Sequence, residues 1–526
     1  MANPQIIWFE NLGTLGIIKD TNQQQLPQNA WTEGQNVRFR EDSIVKIAGE
    51  QAVYGTPRAA PYFALPIAKG PSYWWVYGGL NDIYATDGTS HYCVTDTGGT
   101  ASAAVNVAIG WNGGQLGGGV GILNNGVLAP WSFTGSALTT AWAKLANWPA
   151  GMIARCIRPF KQTLVAWDID EGSGRDGTLL RWSHPAAVGA VPTSWDYTDT
   201  TKQAGRTTLS QGGDFIVDGQ SLRDSFFIYK ENSTWSMQYV GGNAIYSFRR
   251  EFDQMGAMSR RCIQEFFGKH IVLSLNDVVI HDGQTVQQFL SNKWKRYLFG
   301  AIDGTYYYSS FVVVNYAYEE IWICFPETGY TLPNKALIWN WRDNTTSIRE
   351  LPTGTAHIER GIVDTGSDFT IAGDSATYEN ATGIFDEQAY NASSRYLLMC
   401  DANLTKFYRA DTSTQFHGNN ITATIERNAL PIGTPKPDFT LIKYLTEIWP
   451  IIHGTTGGQV NIYIGLRDSL DAAVAWKGPY TYTIGTTVKI NLSLSARIID
   501  IRFTSTSNID WTLERYGLRV RIAGIR

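Results

Sequence analysis

Hydrophobic and polar positions alternate along most of the chain in short runs rather than at a helical spacing. As an example, the apolar runs at residues 271–275 and 278–280 flank the polar pair Asn276-Asp277. Asn and Asp tolerate the backbone angles of tight turns, while β-branched and aromatic residues pack well on a pleated surface. The pattern therefore predicts a succession of β-hairpins.

The candidate hairpin turns recur at a regular spacing. Successive gaps between them are 43, 44, 64, 44, 51 and 47 residues. A period of about 40 to 50 residues built from strands is typical of a β-propeller, in which each blade is one small twisted sheet. We therefore predict an all-β protein with a β-propeller of six to seven blades. The turn positions are Asn81, Asn124, Asp168, Asn232, Asn276, Glu327 and Asp374.

From about residue 417 the pattern changes, because the strands become longer and lie further apart, as in a β-sandwich. Residues 431–437, with three prolines, are the predicted linker. The segment at residues 31–55 alternates but precedes the first blade, so we expect it to close the ring by pairing with the last blade. The predicted parts are an N-terminal segment at 1–55 that pairs with the propeller or a ring neighbour, a β-propeller at 56–416, and a C-terminal β-sandwich at 417–526.

Two segments depart from the strand pattern. Residues 285–298 place Trp294 and Leu298 on one face at a helical spacing, with Thr285 available as a cap, and predict a short helix inserted after a blade. The glycine-rich stretch at residues 110–121 is not followed by a helix and predicts a tight strand crossing or a flexible loop.

Composition narrows the classes of function. The 526 residues include 43 Lys and Arg against 47 Asp and Glu, so the net charge is −4, unlike that of a protein that neutralises many phosphates. Five widely spaced cysteines indicate neither a disulfide framework nor a zinc site and favour a reducing compartment. The N-terminal residues do not resemble an export signal, and no apolar run is long enough to predict a membrane span.

One loop carries two motif-like patterns. Residues 172–177 match G-x-G-x-x-G, but a strand rather than a helix follows, so we predict a hairpin loop and no cofactor. The same loop contains Asp168, Asp170 and Asp176, and oxygen ligands in a glycine-containing turn are a weak indication of a calcium site. Solvated turn carboxylates are the simpler interpretation.

Signatures of catalysis are missing from the sequence. It contains neither a nucleophile elbow nor a Walker A loop, and no zinc-protease helix motif. Paired carboxylates for glycoside hydrolysis remain open in principle, but no local motif selects two of the 47 acidic residues. We therefore predict no catalytic residue and a protein that is not an enzyme.

Basic residues concentrate near the C-terminus. In residues 518–522 the alternation places Arg519 and Arg521 on one strand face and the aliphatic residues on the other, and Arg515 lies on the same strand. Two interpretations stay open for these three arginines: a solvated sandwich face, or an intersubunit or nucleic-acid-facing surface.

Several short aromatic and turn signatures recur along most of the chain: residues 31–40 (WTEGQNVRFR), 180–183 (LRWS), 195–197 (WDY), 226–235 (FFIYKENSTW) and 516–522 (YGLRVRI). In these signatures the chain resembles a known family, the tail nozzle or packaged-DNA stabilisation proteins of short-tailed, podovirus-like phages. Residues 110–121 have no counterpart in that family.

This resemblance implies a structural virion protein located in the phage tail and assembled in the cytoplasm of the bacterial host. Its subunits would form a ring, a homohexamer in that family, which extends the DNA channel below the portal and adaptor. The ring would retain the packaged DNA, let double-stranded DNA pass without sequence-specific binding, and carry tail fibres, tailspikes or a needle. The mildly acidic chain fits a conduit that must not grip DNA.

Two alternatives come from other classes of function. A carbohydrate-binding or glycoside-cleaving propeller that acts on host surface glycans would use the abundant Trp and Tyr residues for stacking on sugar rings. A cellular propeller scaffold would use the same aromatic residues to bind other proteins.

Overall fold

The computed structural model describes residues 5–69, 72–95, 105, 110–242, 244–363, 395–433 and 438–524. In these residues the protein is all-β, as predicted, and consists of a β-propeller joined to a β-sandwich. Strands dominate because the apolar residues recur at a period of two between Asn-, Asp- and Gly-containing turns. Within the described part of the chain, no helix has the length and apolar character required to cross a membrane.

Seven four-stranded antiparallel sheets form the propeller, and each is one blade. Blade 1 comprises Phe63–Lys69, Ser72–Gly78, Ile83–Thr86 and His91–Cys93; blade 2 comprises Asn112–Leu116, Val120–Asn124, Trp131–Phe133 and Ala143–Lys144; blade 3 comprises Ile153–Phe160, Thr163–Asp170, Arg175–Trp182 and Gly205–Thr208; blade 4 comprises Ile216–Leu222, Ser225–Lys230, Ser233–Gly241 and Ile245–Asp253. Blade 5 comprises Ile263–Phe266, Lys269–Leu273, Val278–His281 and Val286–Gln288; blade 6 comprises Phe311–Asn315, Glu320–Phe325, Lys335–Asn340 and Thr345–Glu350; blade 7 comprises Thr355–Gly361, Tyr396–Asp401, Lys406–Ser413 and Gly49–Val53.

The blades close into a ring. The first strand of each blade packs beside the first strand of the next, and Thr355–Gly361 of blade 7 packs beside Phe63–Lys69 of blade 1. Buried apolar clusters lie between successive blades around the whole circle, including one between blades 7 and 1 that contains Trp75, Tyr77 and Phe407. The apolar faces of the twisted sheets are thus covered by neighbouring blades, which is how a propeller buries its core.

A strand from the N-terminal region completes the last blade. Gly49–Val53 pairs antiparallel to Lys406–Ser413, with Val53 opposite Phe407. The preceding strands, Val37–Arg40 and Ser43–Lys46, join the sandwich instead. The expectation that the alternating residues of the N-terminal segment pair with the last blade is therefore correct for Gly49–Val53 and wrong for the preceding hairpin, whose apolar side chains lie in the sandwich core.

Two sheets form the sandwich, and both include N-terminal strands. Ile425, Ile462 and Phe503 of one sheet and Leu445 and Leu518 of the other lie in the same buried cluster. The six-stranded sheet contains Val37–Arg40, Ser43–Lys46, Trp511–Gly524, Ile442–Gly454, Ile490–Ala496 and Gln5–Phe9; the five-stranded sheet contains Glu33–Gln35, Ala423–Arg427, Ile498–Ser505, Gln459–Arg467 and Ala475–Thr483. A short two-stranded hairpin, Gln415–Phe416 and Asn419–Asn420, lies just before the strand Ala423–Arg427 in the chain.

The sandwich is fixed to the propeller by continuous packing and by buried ion pairs. One apolar cluster extends from blades 5 and 6 into the sandwich core. Beside it, Arg38 of the sandwich binds Glu320 of blade 6 and, at 3.3 Å, Asp411 of blade 7. Within the propeller, Arg349 of blade 6 contacts Glu50 at 2.8 Å and Asp411 at 2.6 Å on blade 7. Arg38, Glu320 and Asp411 are nearly inaccessible to solvent, so the two domains are held in one arrangement by charged groups that cannot be left unpaired.

The predicted helix exists but begins later in the chain. It spans Asn292–Ala301 with Ser291 at its N-cap, and Trp294 and Leu298 are buried as expected. Thr285 is not its cap, because Val286–Gln288 forms the outer strand of blade 5 and Asp282 accepts the backbone N–H of Thr285 in a turn. Two short 3₁₀ helices, Gln23–Gln25 and Tyr307–Ser309, complete the described elements.

The glycine-rich stretch forms the first hairpin of blade 2 rather than a loop. Gly113 has φ of 151°, and a Cβ there would lie 2.0 Å from the carbonyl oxygen of Ile122. A Cβ on Gly114 would lie 2.7 Å from Pro159 of blade 3. Glycine is therefore required where the inner strands of two blades approach closely.

Most of the predicted turns lie between the second and third strands of a blade. Asn81, Asn232, Asn276 and Glu327 follow this rule. Asp168 instead lies within the second strand of blade 3, at a bulge. Asn124 is the last residue of the second strand of blade 2. Two of the predictions lie outside the described residues: the turn at Asp374 and residues 434–437 of the linker.

Candidate functional site

Two tryptophans stand side by side on the outer face of the six-stranded sheet. Trp8 and Trp449 both lie opposite Gly517 in the strand register, one on each neighbouring strand. The Trp8 ring packs directly over Gly517, since a Cβ at this position would lie 3.1 Å from the ring. Trp8 is 38% exposed, and the pair forms what we call the tryptophan face of the sandwich.

The predicted arginines lie on this same face. Arg519 forms an ion pair with Glu447 at 3.1 Å, and Arg515 forms an ion pair with Glu10 at 2.9 Å and lies 5.2 Å from the Trp8 ring centre. Arg521 is on the same strand face and is half-buried. Leu518 and Val520 are buried on the opposite side, so the predicted alternation is confirmed.

Charge and aromatic groups are interleaved on the tryptophan face. The indole N–H of Trp449 donates to Glu447, whose other oxygen accepts from Lys489 at 2.8 Å. The hydrogen bond from Lys489 is the main cause that lowers the pKa of Glu447, and Trp449 and Arg519 add to it. The lysine also lies 5.3 Å from the Trp449 ring centre. These contacts hold the half-buried Trp449 ring in a fixed orientation.

A groove of 500 Å³ opens beside the two tryptophans. Its walls include His453, Tyr482 and Val488, and Val488 is 70% exposed. Rigid aromatic rings next to an exposed aliphatic side chain are typical of the centre of a protein interface.

The structure does not bring the candidate calcium ligands together. Asp168 is paired with Arg175, at 2.5 Å for one of the two contacts. Asp170 accepts the backbone N–H groups of the glycine loop, and Asp176 accepts from Thr178. Among the described residues, no group of three or more metal-ligating side chains is present. The G-x-G-x-x-G segment is a hairpin loop that leads into Arg175–Trp182, as predicted.

The propeller has a central cavity of 610 Å³ that is lined by the first strands of all seven blades. Five arginines and three acidic residues line it: Arg158, Arg223, Arg261, Arg360 and Arg395, with Asp218, Glu265 and Glu359. The cavity therefore carries two more positive than negative side chains, although the whole chain has a net charge of −4.

One charged cluster joins several of the inner strands that line the cavity. Arg158 binds Asp218 through two hydrogen bonds of 3.2 and 3.0 Å, and Asp218 also accepts the backbone N–H of Arg261 at 2.9 Å. Burial alone would raise the pKa of Asp218, but Arg158 and the N–H donors lower it below its ordinary value. Arg261 donates to Nδ1 of His357 at 2.8 Å.

The histidine in this cluster is neutral. Burial is the main cause that lowers the pKa of His357, and the nearby guanidinium of Arg261 adds to the effect. Because Nδ1 accepts from Arg261, the proton resides on Nε2, which points toward Glu359 at 3.5 Å. His357 also stacks on Phe63 with 4.8 Å between ring centres.

Sequence reasoning identified the arginines of the tryptophan face but missed Trp8, Trp449 and the cavity. Residues 8 and 449 become neighbours only through long-range strand pairing. The cavity residues are separated by a blade each, so a signal for them would be a charged residue at the same position of successive blades. Arg158, Asp218 and Arg261 do not share one strand position, so no such signal marks them in the sequence.

Comparison with known proteins adds information on the fold alone. No family model matches the chain, and no curated protein matches it in sequence. Among solved structures, PorZ of Porphyromonas gingivalis is 9% identical with a TM-score of 0.37, over 73% of this chain and 43% of that chain. An ancestral family 74 glycoside hydrolase is 11% identical with a TM-score of 0.38, over 73% of this chain and 50% of that one.

A family 43 arabinoxylan arabinofuranohydrolase from Bacillus subtilis covers 95% of this chain and 98% of its own at 10% identity and a TM-score of 0.24. The chain spans half or less of the length of PorZ and of the family 74 enzyme. Similarity at this level carries no argument about activity. The strand pairings themselves define the class: a seven-bladed β-propeller with an attached β-sandwich.

Proposed function

We propose that this chain is a structural virion protein, the subunit of a ring-shaped tail nozzle of a short-tailed phage. The ring extends the DNA channel below the portal and adaptor, retains the packaged DNA and guides its ejection. The mechanism is passive, because rigid walls and projecting loops provide the conduit and no chemical step is required.

The observation that carries the proposal is the tryptophan face. Trp8 and Trp449 contact neighbouring charged groups on one face of the six-stranded sheet, and Arg515 and Arg519 lie beside them. Trp and Arg are the residues most enriched at the centres of protein interfaces. This surface therefore suits contact with a neighbouring subunit.

The rigid joint between the two domains supports the same proposal. Residues 31–40, which carry part of the resemblance to nozzle proteins, supply Arg38 and its buried ion pairs with blades 6 and 7. A subunit that must withstand the pressure of packaged DNA benefits from domains that do not move relative to one another.

Particle mass and electron microscopy test the proposal. The purified full chain is expected to form rings of about six copies, as the resemblance implies, on a single axis. Arg519→Glu and Trp449→Ala are expected to shift the mass toward the monomer, whereas Arg296→Glu, on the exposed side of the helix, keeps the ring. A monomer at all concentrations, together with virions that show no ring of this chain on the channel axis, would contradict the proposal.

A carbohydrate-binding role is the second candidate, and the same two tryptophans favour it. The exposed indole of Trp8 and the half-buried indole of Trp449 lie on either side of Gly517 and could form a platform on which a sugar ring stacks. Binding of host envelope polysaccharide that is lost in Trp8→Ala, without any ring formation by the wild-type chain, would support this candidate over the nozzle.

A further inference from the structure

A groove with a volume of 530 Å³ opens between blades 4 and 5, on the side of the propeller where the first strands of both blades end. The third and fourth strands of blade 4, Ser233–Gly241 and Ile245–Asp253, have nine residues each, whereas those of blade 5 have four and three. The longer strands extend past their shorter neighbours, because each strand residue adds about 3.3 Å. Part of the blade 4 face that an equally long blade would cover therefore remains open.

The floor of the groove is aromatic and uncharged. Phe227 and Phe252 of blade 4 line it, and their ring centres lie 5.4 and 5.2 Å from the ring centre of His281 in blade 5. Nδ1 of His281 accepts the backbone N–H of Gly283 at 3.2 Å, so the proton resides on Nε2, which donates to the Tyr229 hydroxyl at 2.5 Å. These hydrogen bonds hold the neutral imidazole against both phenylalanine rings.

Amide and hydroxyl groups form part of the walls. Nε2 of Gln238 donates to Oγ of Ser225 at 3.1 Å, and among the described residues no group binds the amide oxygen of Gln238. Gln238 and Gln284 are both exposed, and they line the groove from opposite blades. Each amide offers donors and an acceptor, so these walls suit a ligand that carries several hydroxyl groups.

The acidic side chains around the groove already have partners. Glu251 lies 3.4 Å from Arg249, and Asp224 lies 3.3 Å from Lys161. Asp282 accepts backbone N–H groups of its own turn. Two arginines and three acidic residues line the groove: Arg223, Arg249, Asp224, Glu251 and Asp282. This balance disfavours an anionic ligand, and the pairing of the carboxylates disfavours a cationic one.

We propose that this groove binds a neutral saccharide of one or two sugar units, held by Phe252, Gln238 and Gln284. A sugar ring presents C–H groups that pack on the half-buried Phe252 ring, while the hydroxyl groups at its edge exchange hydrogen bonds with the two amides. The volume of the groove lies within the range of about 300 to 1,000 Å³ that is typical of small-molecule sites. The groove belongs to the propeller, so it is separate from the tryptophan face.

Isothermal titration calorimetry on the full chain tests the proposal with maltose, cellobiose, lactose and di-N-acetylchitobiose as probes. We expect saturable binding of at least one of these disaccharides, with one molecule per chain. Spermidine and inorganic phosphate, added at constant ionic strength, are expected not to compete. The absence of saturable binding for all four sugars, or displacement of the sugar by spermidine or phosphate, would overturn the proposal.

Gln238→Ala and Phe252→Ala are each expected to weaken sugar binding by about tenfold, because each removes a main contact of the ligand. Gln287→Ala alters an exposed glutamine on the outer strand of blade 5, away from the groove lining, and is the matched control. Trp8→Ala is likewise expected to bind as the wild type does.

The exposed position of Gln238 makes Gln238→Ala the deciding variant if Phe252→Ala does not fold. Unchanged affinity in Gln238→Ala, or loss of binding in Trp8→Ala, would contradict the proposed site. Ring formation does not enter this assay, so its result is independent of the proposed function.

Discussion

The carboxyl group of Glu50 is expected to make the stability of this protein depend on pH. Glu50 lies on the strand that closes the propeller and is fully buried against Arg349. Burial raises its pKa to about 7, an effect that Arg349 only partly offsets. With Glu50 neutral, Arg38 and Arg349 are balanced by Glu320 and Asp411, which explains why the proton is retained.

The sign and size of the effect follow from the two protonation equilibria. Below pH 4.5 the group is protonated in both the folded and the unfolded chain, so its stabilising contribution is complete. As the pH rises from 4.5 to 7, the unfolded chain releases the proton and the folded chain retains it, so the free energy of unfolding falls. A shift of about 2.5 pKa units corresponds to about 3 kcal/mol.

Glu50→Gln removes this titration and keeps an acceptor for Arg349. The difference in unfolding free energy between variant and wild type is therefore expected to change by about 3 kcal/mol in favour of the variant between pH 5 and pH 8. In thermal scans this corresponds to roughly 4 °C for a unit of the propeller's size. Other groups titrate alike in both proteins and cancel. Glu10→Gln, an exposed ion-pair residue, is the control, and a Glu50→Gln difference that does not vary with pH would refute the reasoning.

Three further predictions concern individual side chains. Gly113→Ala should lower the thermal unfolding temperature, because the new Cβ would clash with the Ile122 carbonyl oxygen and because the backbone φ at this position is positive. The free energy of unfolding should fall by about 2 kcal/mol, and an unchanged unfolding temperature would contradict this prediction. Cys93 should be the cysteine that a thiol reagent modifies in the native chain, since the other four are buried; a count of more than one thiol before unfolding would count against this. Burial lowers the pKa of His270 to about 4 and the pKa of His281 to about 3, so both side chains stay neutral in the folded state, whereas the unfolded chain protonates them below about pH 6.5. The free energy of unfolding should therefore fall between pH 6.5 and 4, by about 3 kcal/mol for His270. In denaturant titrations, His270→Asn should reduce that fall.

The local sequence pattern predicted the strands, most of the turns and a propeller of six to seven blades. These features depend on neighbouring residues, because alternation of side chains defines a strand face and Asn or Asp permits a tight turn. For the same reason the arginines of the tryptophan face were correctly placed on one side of their strand. The helix start was wrong because Val286–Gln288 had a partner, Val278–His281, that completes blade 5 and outweighs local helix preference.

Strand partners far apart in the sequence were decided by the tertiary structure. Ser43–Lys46 and Gly49–Val53 are close in the chain, yet one pairs with the sandwich and the other with blade 7. Local alternation cannot distinguish these fates, because any extended strand offers the same backbone donors and acceptors. The choice depends on which apolar surface each strand covers and on the buried partners of Glu50 and Lys46.

The sequence by itself thus determined the repeating unit, whereas ring closure, the domain joint and both candidate sites exist only in the folded chain. Trp8 and Trp449 meet across Gly517, and Arg261 reaches His357 from two blades away. Such sites join side chains that are hundreds of residues apart or on separate blades. Their geometry is set by long-range hydrogen bonding and packing, which no local periodicity encodes.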